Sequence, residues 1–259
     1  MAAPTVLVHR DETLLARAVA ARLVTRLVDV QSARGSASVV LTGGGIGTEV
    51  LRALAETPAR DAVTWDALDV WWGDERFLPA GHPDRNETAA RAALLDAVDL
   101  APERVRPMPG PDGPDGPDPE AAAERYASWL AAATTPEDHG PVPAFDVLLL
   151  GVGPDGHTAS LFPGAPAVYD DRPVVAVHGA PKPPPTRLTL TFAAINAARE
   201  VWVVVAGADK AGAVAMALGG AGRVQVPAGG AFGRQRTLWL LDAPAASRIP
   251  AGLTRLASP

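Results

Sequence analysis

Apolar residues recur along the chain in two alternating patterns, one typical of amphipathic helices and one typical of buried strands. Between residues 13 and 30 they are three or four positions apart, at Leu15, Val19, Leu23, Leu27 and Val30, which predicts a helix. Short, continuous runs rich in valine and leucine predict buried strands over residues 38–41, 68–72, 145–150, 174–177, 201–205 and 238–241.

The segments between these strands combine turn residues with helical sequence. Gly43-Gly44-Gly45 turns the chain after the first strand, and Thr48 is placed to cap the helix that follows. Residues 73–84 form a loop before an alanine-rich helix over residues 87–98, and a further helix covers residues 209–218. This alternation predicts an α/β fold with a doubly wound, mostly parallel sheet and helices on both faces.

The size of the chain fits one domain. Its 259 residues are 47% hydrophobic, which is enough to bury a substantial core. The proline- and glycine-rich segment 107–119 is interpreted as a surface loop, because strands and helices continue to alternate beyond it. We therefore expect residues 1–259 to form a single domain.

Composition excludes several functional classes. The formal net charge is −6 and the basic residues are scattered, so the chain has no basic stripe for nucleic acid. It contains no cysteine, which excludes disulfides, thiolate metal sites and a thiol nucleophile. The first residues do not form a secretory signal, and no apolar run is long enough to span a bilayer. These features predict a cytoplasmic protein without a membrane partner.

Unusual polar and glycine-rich segments follow the predicted strands. They are Gly43-Gly44-Gly45, Asp74-Glu75-Arg76, residues 151–157, residues 181–187 and Lys210. Ligands of open parallel sheets bind beyond the carboxyl ends of the strands, where successive loops converge. We therefore expect these segments to line one crevice.

The sequence Asp155-Gly156-His157 has the residue types needed for proton transfer. Glycines at positions 151, 153 and 156 allow sharp turns while a carboxylate stays two residues from an imidazole. A histidine can accept a proton from water near neutral pH, and a neighbouring carboxylate can orient it. A capping histidine without a chemical role is the alternative.

Cations and backbone amides elsewhere in the expected crevice suit an anion. Prolines around Lys182 and Arg187 hold these cations rigidly, and Lys210 opens a helix, where a cation opposes the helix dipole unless an anion is present. The glycine run can offer N–H groups to an anion at a helix N-terminus. It matches neither the dinucleotide nor the nucleotide P-loop spacing. A tight turn explains the glycines equally well, and solvated surface explains each cation.

Two other chemistries are disfavoured. Ser160 lacks the G-x-S-x-G elbow of serine hydrolases and is expected in the first turn of a following helix. Asp155 and His157 have no second histidine at metal-ligand spacing, so a site without metal is preferred.

Several separated motifs resemble the 6-phosphogluconolactonase family, part of the glucosamine/galactosamine-6-phosphate isomerase-like superfamily. The most specific motif has Gly151 and Gly153 before Asp155-Gly156-His157-Thr158-Ala159-Ser160-Leu161-Phe162-Pro163. Supporting motifs are Trp72-Gly73-Asp74-Glu75-Arg76, Asn86, and Pro181-Lys182-Pro183-Pro184-Pro185 with Arg187. The similarity runs nearly from end to end and in the same order.

The resemblance implies a Rossmann-like sugar-phosphate isomerase fold that acts without metal or cofactor. It implies conversion of a small molecule, 6-phospho-D-glucono-1,5-lactone, to 6-phosphogluconate in the oxidative pentose phosphate pathway. By similarity, His157 is the general base, Asp155 assists it, and Arg76 meets the lactone carbonyl. Three cations and two backbone N–H groups then hold the phosphate: Lys182, Arg187, Lys210, Gly44 and Gly45.

One motif departs from the family. Its glycine loop usually continues with Ser-Thr-Pro, whereas this chain has Gly43-Gly44-Gly45-Ile46-Gly47-Thr48. The resemblance therefore assigns only the backbone N–H groups of this loop, and not its side chains, to substrate binding.

Two other functions remain open. A glucosamine-6-phosphate deaminase resembles this fold but typically has Asp-Glu-Tyr where Arg76 ends the motif here, and an acidic residue where this chain has Leu161-Phe162-Pro163. A non-catalytic sugar-phosphate sensor is the second alternative, although no attached DNA-binding segment is visible. The sequence leaves the oligomeric state open and is consistent with a monomer.

Overall fold

The computed structural model describes residues 3–138, 140–249 and 255–256. The strands are β1 (Thr5–His9), β2 (Ala37–Leu41), β3 (Leu68–Trp72), β4 (Asp74–Arg76), β5 (Val105–Arg106), β6 (Val147–Leu150), β7 (Val174–Val177), β8 (Arg187–Leu190), β9 (Glu200–Val205), β10 (Arg236–Asp242) and β11 (Arg255–Leu256). The α-helices are α1 (Glu12–Arg34), α2 (Gly44–Glu56), α3 (Asn86–Ala93), α4 (Pro119–Ala132), α5 (Phe192–Ile195), α6 (Ala211–Leu218) and α7 (Ala243–Ala246).

Eight strands form one parallel sheet. Their order is β11-β1-β10-β9-β6-β2-β3-β5, and every pairing between neighbours is parallel. All residues of β6 and β9 are buried, which requires a covering layer on both faces of the sheet. The predicted α/β class with a mostly parallel sheet is therefore confirmed.

Three strands form a second, antiparallel sheet in the order β4-β8-β7. The prediction that residues 174–177 continue the parallel series is therefore wrong, because a short apolar run does not reveal the direction of its neighbour. The predicted loop over residues 73–84 also contains β4. Gly73 joins the two sheets, since its N–H donates to the carbonyl of Leu41 and its carbonyl accepts from the N–H of Leu190.

Helix boundaries differ from the prediction at three places. Helix α2 begins at Gly44, so Thr48 lies inside it and its hydroxyl donates to the carbonyl of Gly44 rather than capping the helix. Helix α3 ends at Ala93 and a 3-10 turn follows, which shortens the predicted helix over residues 87–98. Helix α4 was not predicted, and Asp118 caps it by accepting two backbone N–H bonds.

The parallel sheet brings distant parts of the chain to one edge. Strands β2, β3, β6 and β9 run in the same direction, so their carboxyl ends, at Leu41, Trp72, Leu150 and Val205, lie on one side. The segments predicted to carry chemistry leave the sheet from these ends. No helix in the described part of the chain is both long and apolar enough to cross a membrane.

Candidate active site

A crevice of about 450 Å³ opens at this edge of the sheet. Seven of the predicted site residues line it: Gly44, Gly45, Arg76, His157, Lys182, Arg187 and Lys210. Asp155 does not line the crevice but contacts His157. The structure thus brings together segments from five parts of the sequence, as the strand directions require.

A tight turn holds His157 against Asp155. Its Nδ1 lies 2.5 Å from Asp155 Oδ1, and its ring packs against Phe162 with 4.7 Å between the ring centroids. Within the turn, the Gly153 N–H donates to the carbonyl of His157 at 2.9 Å. A Cβ atom at Gly153 would lie 2.0 Å from ring atoms of His157, so only glycine leaves room for the imidazole.

Burial and charge act in opposite directions on the imidazole. The side chain of His157 is 16% exposed. Burial lowers its pKa below the ordinary 6.5, and nearby Lys182 adds to this effect, while Asp155 and Asp74 oppose it. Burial acts to raise the pKa of Asp155, but the side-chain hydrogen bond to His157, the charge of the imidazole and backbone hydrogen bonds together outweigh this, and the pKa falls. His157 is therefore a neutral base at neutral pH, and Asp155 is ionised beside it.

Ala159 has a strained backbone at the wall of the crevice. Its φ is +48°, in the left-handed region that residues with a Cβ rarely adopt. Ala159 lines the crevice two residues after His157. Backbone strain of this kind persists only where the surrounding contacts hold it, and it is concentrated at functional sites.

Two arginines lie side by side on the antiparallel sheet. Arg76 of β4 is directly opposite Arg187 of β8, so their side chains leave the same face. Nη1 of Arg76 donates to the carbonyl of Asp84, while its buried Nε has no hydrogen-bond partner in the described structure. Adjacent cations repel each other, and such a pair suits an anionic ligand.

The guanidinium of Arg187 is held by backbone carbonyls. It donates to Pro184 at 3.2 Å, Lys182 at 3.0 Å and Pro183 at 3.3 Å, and the residue is only 5% exposed. Its Cζ lies 5.8 Å from the centre of the Phe162 ring. Burial and the neighbouring Arg76 lower the pKa of Arg187, whereas Asp74 raises it. This arginine is therefore a preorganised, partly desolvated cation.

Two lysines complete the positive wall. Lys182 is exposed at the rim. Lys210 is 22% exposed, sits at the start of α6, and forms an ion pair with the more exposed Asp209. Both lysines line the crevice.

The glycine loop places a helix N-terminus in the crevice. Gly43 is the N-cap of α2 and gives no side-chain cap, and Gly44 has a φ of +83°. The first N–H groups of such a helix have no partner within the helix and attract anions. A Cβ at Gly47 would lie 2.7 Å from the carbonyl oxygen of Thr42, so glycine there allows α2 to start close to β2.

Glu75 and Ser160, which the sequence analysis named, are buried and hydrogen-bonded to other parts of the protein. Glu75 is buried and accepts backbone N–H bonds from Asn86 and Glu87, which caps α3. Ser160 is fully buried and donates to Asp74. It lies in a turn rather than in a helix, so that prediction is wrong, because the Thr158–Leu161 bridge closes the chain there. Ser160 is therefore not placed as a nucleophile.

Sequence reasoning did not select Thr42 and Glu12, which also line the crevice: Thr42 accepts a hydrogen bond from the Gly151 N–H, and Glu12 opens α1. Asp74, which belongs to a segment expected in the crevice, begins β4 and lines it. The strand-end position of Asp74 was visible in the sequence, but its contact with Ser160 joins positions 86 residues apart. Among the described residues, no group of three or more histidine or acidic side chains is placed to hold a metal ion.

The fold and the crevice define a class of α/β proteins with an acid–base pair and a cationic wall at the carboxyl edge of a parallel sheet. The chain belongs to the family described as glucosamine-6-phosphate isomerases/6-phosphogluconolactonase, whose model matches residues 10–239.

Relatives and solved structures give the same assignment. The chain is 62% identical over 251 residues to a 6-phosphogluconolactonase of Streptomyces coelicolor, covering 96% of each protein. It is 48% identical over 241 residues to a 6-phosphogluconolactonase of Mycobacterium tuberculosis, covering 93% of this chain and 96% of that one. The solved 6-phosphogluconolactonase of Trypanosoma brucei superposes with a TM-score of 0.81 at 31% identity, covering 95% and 99% of the two chains.

Proposed function

We propose that this chain is an enzyme that hydrolyses 6-phospho-D-glucono-1,5-lactone to 6-phospho-D-gluconate in the oxidative pentose phosphate pathway. One observation carries the proposal. His157, which is paired with Asp155, lines a crevice that is also lined by four cations, Arg76, Lys182, Arg187 and Lys210. A proton acceptor and several cations in one crevice suit a phosphorylated substrate attacked by water. The relatives named 6-phosphogluconolactonase support the same substrate.

His157 acts as the general base through Nε2. Asp155 is an acceptor at Nδ1, so the neutral imidazole carries its proton there and leaves the Nε2 lone pair free. Nε2 takes a proton from water as the oxygen attacks C1 of the lactone. Asp155 then stabilises the imidazolium, and the same proton is returned to the ring oxygen as it leaves. The reaction needs no covalent intermediate.

The cations divide between the two ends of the substrate. Arg76 meets the lactone carbonyl and stabilises the negative charge that develops on its oxygen. The phosphate is held by Arg187, Lys182 and Lys210, together with N–H groups at Gly44 and Gly45. Because the phosphate is remote from C1, its binding fixes the position of the carbonyl relative to His157.

The test is lactone hydrolysis by the purified protein, with the spontaneous rate subtracted. We expect turnover of the phosphorylated lactone at a much higher kcat/KM than that of unphosphorylated gluconolactone. Glucosamine 6-phosphate is tested in parallel, with ammonia release as the readout. Release of ammonia without lactone hydrolysis would identify a deaminase instead. Among the described residues, the carboxylates that line the crevice are Glu12 and Asp74, and Asp74 already accepts a hydrogen bond from Ser160. This disfavours the proton transfer between C1 and C2 that a deaminase needs.

The pH dependence of kcat/KM tests the lowered pKa of His157. The free enzyme must have this imidazole neutral, and its pKa lies below 6.5, so activity is expected to be retained at pH 6.5 and lost only at lower pH. The phosphate group of the substrate titrates near a pH of about 6. The profile is therefore measured with both phosphorylated and unphosphorylated lactone. A shared acid limb with its midpoint above 6.5 would contradict the assignment.

We also propose that the chain is one domain that works in the cytoplasm without metal or cofactor, and that it binds neither nucleic acid nor membrane. The proposed domain extends over residues 1–259, including positions outside the described residues. A monomer fits these features, and sedimentation of the purified protein measures the oligomeric state.

A further inference from the structure

The carboxylate of Asp74 has no part in the chemistry described above. Asp74 is 7% exposed and lines the crevice. Its Oδ2 accepts a hydrogen bond from the Ser160 hydroxyl at 2.7 Å, and its Oδ1 accepts one from the amide of Asn86 at 3.3 Å. A buried carboxylate is destabilising unless hydrogen bonds and opposite charge compensate for its lost hydration. These contacts explain how the fold tolerates it.

The partners of Asp74 belong to segments that carry other parts of the site. Ser160 lies three residues after His157 in the same turn. Asn86 packs against the glycine loop, because a Cβ at Gly43 would lie 1.9 Å from its Oδ1. Asp74 itself is on the strand that carries Arg76. One side chain therefore connects the histidine turn, the glycine loop and β4.

The connection to the histidine turn is reinforced from the neighbouring strand. Thr189 of β8 is directly opposite Asp74, and its hydroxyl accepts the N–H of Ser160 at 3.1 Å. The backbone and the side chain of Ser160 are thus both held by the antiparallel sheet. Ala159, with its left-handed backbone, lies between this anchor and His157. These contacts fix where the turn presents the imidazole.

The charge of Asp74 also reaches the crevice. It raises the pKa of His157 and that of Arg187. The other charged groups that act on the imidazole are Asp155, which raises its pKa, and Lys182, which lowers it. Three further cations line the same crevice, namely Arg76, Arg187 and Lys210. Asp74 is therefore a buried negative charge beside a cationic wall.

We propose that Asp74 is a positioning residue that holds the histidine turn through Ser160 and balances the charge of the arginine pair when the crevice is free of substrate. It acts through other residues and does not exchange a proton with the lactone. The inference rests on the proposed lactone hydrolysis. It adds a role for a carboxylate that the general-base mechanism leaves unused.

Two substitutions separate the effect of the Asp74 charge from the effect of its hydrogen bond with Ser160. Asp74→Asn keeps one acceptor, for the Ser160 hydroxyl, and removes the charge together with the acceptor for the Asn86 amide, so the pKa of His157 should fall and the acid limb of kcat/KM should move to lower pH. Ser160→Ala keeps the charge but releases the turn, so kcat should fall by about 10- to 100-fold, the scale of a small displacement of a catalytic group. KM for the phosphorylated lactone should change little in Ser160→Ala.

Asp146→Asn is the matched control. Asp146 is a buried carboxylate, 2% exposed, that accepts hydrogen bonds from Ser38 and pairs with Arg34 before β6, at the opposite edge of the sheet. Its loss should lower thermal stability without changing kcat or the pH profile. A change caused only by losing a buried carboxylate would appear in this variant as well.

NMR titration of the histidine side chains provides a readout that does not depend on turnover. A His157→Asn variant assigns the resonance of His157, and its pKa should be lower in Asp74→Asn than in the unmodified protein. The inference is overturned if this pKa does not change and folded Ser160→Ala retains full kcat. If the unmodified protein does not hydrolyse the lactone, the proposed function fails, while the titration still measures the action of Asp74 on His157. If Asp74→Asn does not fold, Ser160→Ala decides by its kcat.

Discussion

Replacing His157 with alanine is expected to lower kcat by about 10²- to 10⁴-fold, the usual contribution of a positioned general base. The expectation follows from the proposed role of Nε2 of His157, since Asp155 engages Nδ1. Binding of the phosphorylated lactone should be retained, because the proposed mechanism assigns the imidazole to the reacting carbonyl and other residues to the phosphate. The measurement is steady-state hydrolysis with the spontaneous rate subtracted, and circular dichroism checks the fold.

His178→Ala is the control for this substitution. His178 is an exposed histidine that contacts Glu120 and does not line the crevice. Its removal should leave kcat unchanged. A loss below tenfold in folded His157→Ala would contradict the general-base assignment, because the base is expected to contribute at least about a hundredfold. Asp155→Asn should lie between the two variants, since it keeps the shape of the contact but removes the charge that stabilises the imidazolium.

Much of the architecture could be predicted from the sequence because parallel strands have a strong pattern. Continuous apolar runs predicted β3, β6 and β9, and the rule that loops converge at the carboxyl ends of strands predicted one crevice for five distant segments. The antiparallel sheet was missed for a physical reason. Strands β4 and β8 are short and carry charged residues, since Arg76 and Arg187 point toward the crevice rather than a core. These crevice-lining arginines interrupt the run of apolar residues by which a strand is identified in a sequence.

Contacts between residues that are distant in the sequence could not be predicted either. Gly153 and Gly43 were read as turn residues, yet each leaves space for a particular side chain, His157 and Asn86 respectively. The same holds for the pairing of Asp74 with Ser160. Such contacts depend on how two loops pack, and neither periodicity nor spacing contains that information.

Replacing Arg187 with methionine is expected to raise KM for the phosphorylated lactone by about 10- to 100-fold, the worth of a charged hydrogen bond of about 1.5–3 kcal/mol. The guanidinium is buried and held in place by carbonyls of residues 182–184, so little entropy is lost when it binds phosphate. Lys210→Met should have a smaller effect, because Lys210 is more exposed and pairs with Asp209. The measurement is KM and kcat for both the phosphorylated and the free lactone.

The comparison of the two lactones tells phosphate binding apart from a general disturbance of the site. Arg187→Met also frees the three carbonyls, so Arg187→Lys, which keeps the charge but loses the planar fork, should recover part of the affinity. Arg172→Met is the matched control, because Arg172 is exposed, pairs with Asp170 and does not line the crevice. Equal losses with both lactones would show that Arg187 orders the crevice instead of binding phosphate. Loss confined to the phosphorylated lactone would assign the buried arginine to the phosphate and leave Arg76, its neighbour across the strand pair, for the carbonyl.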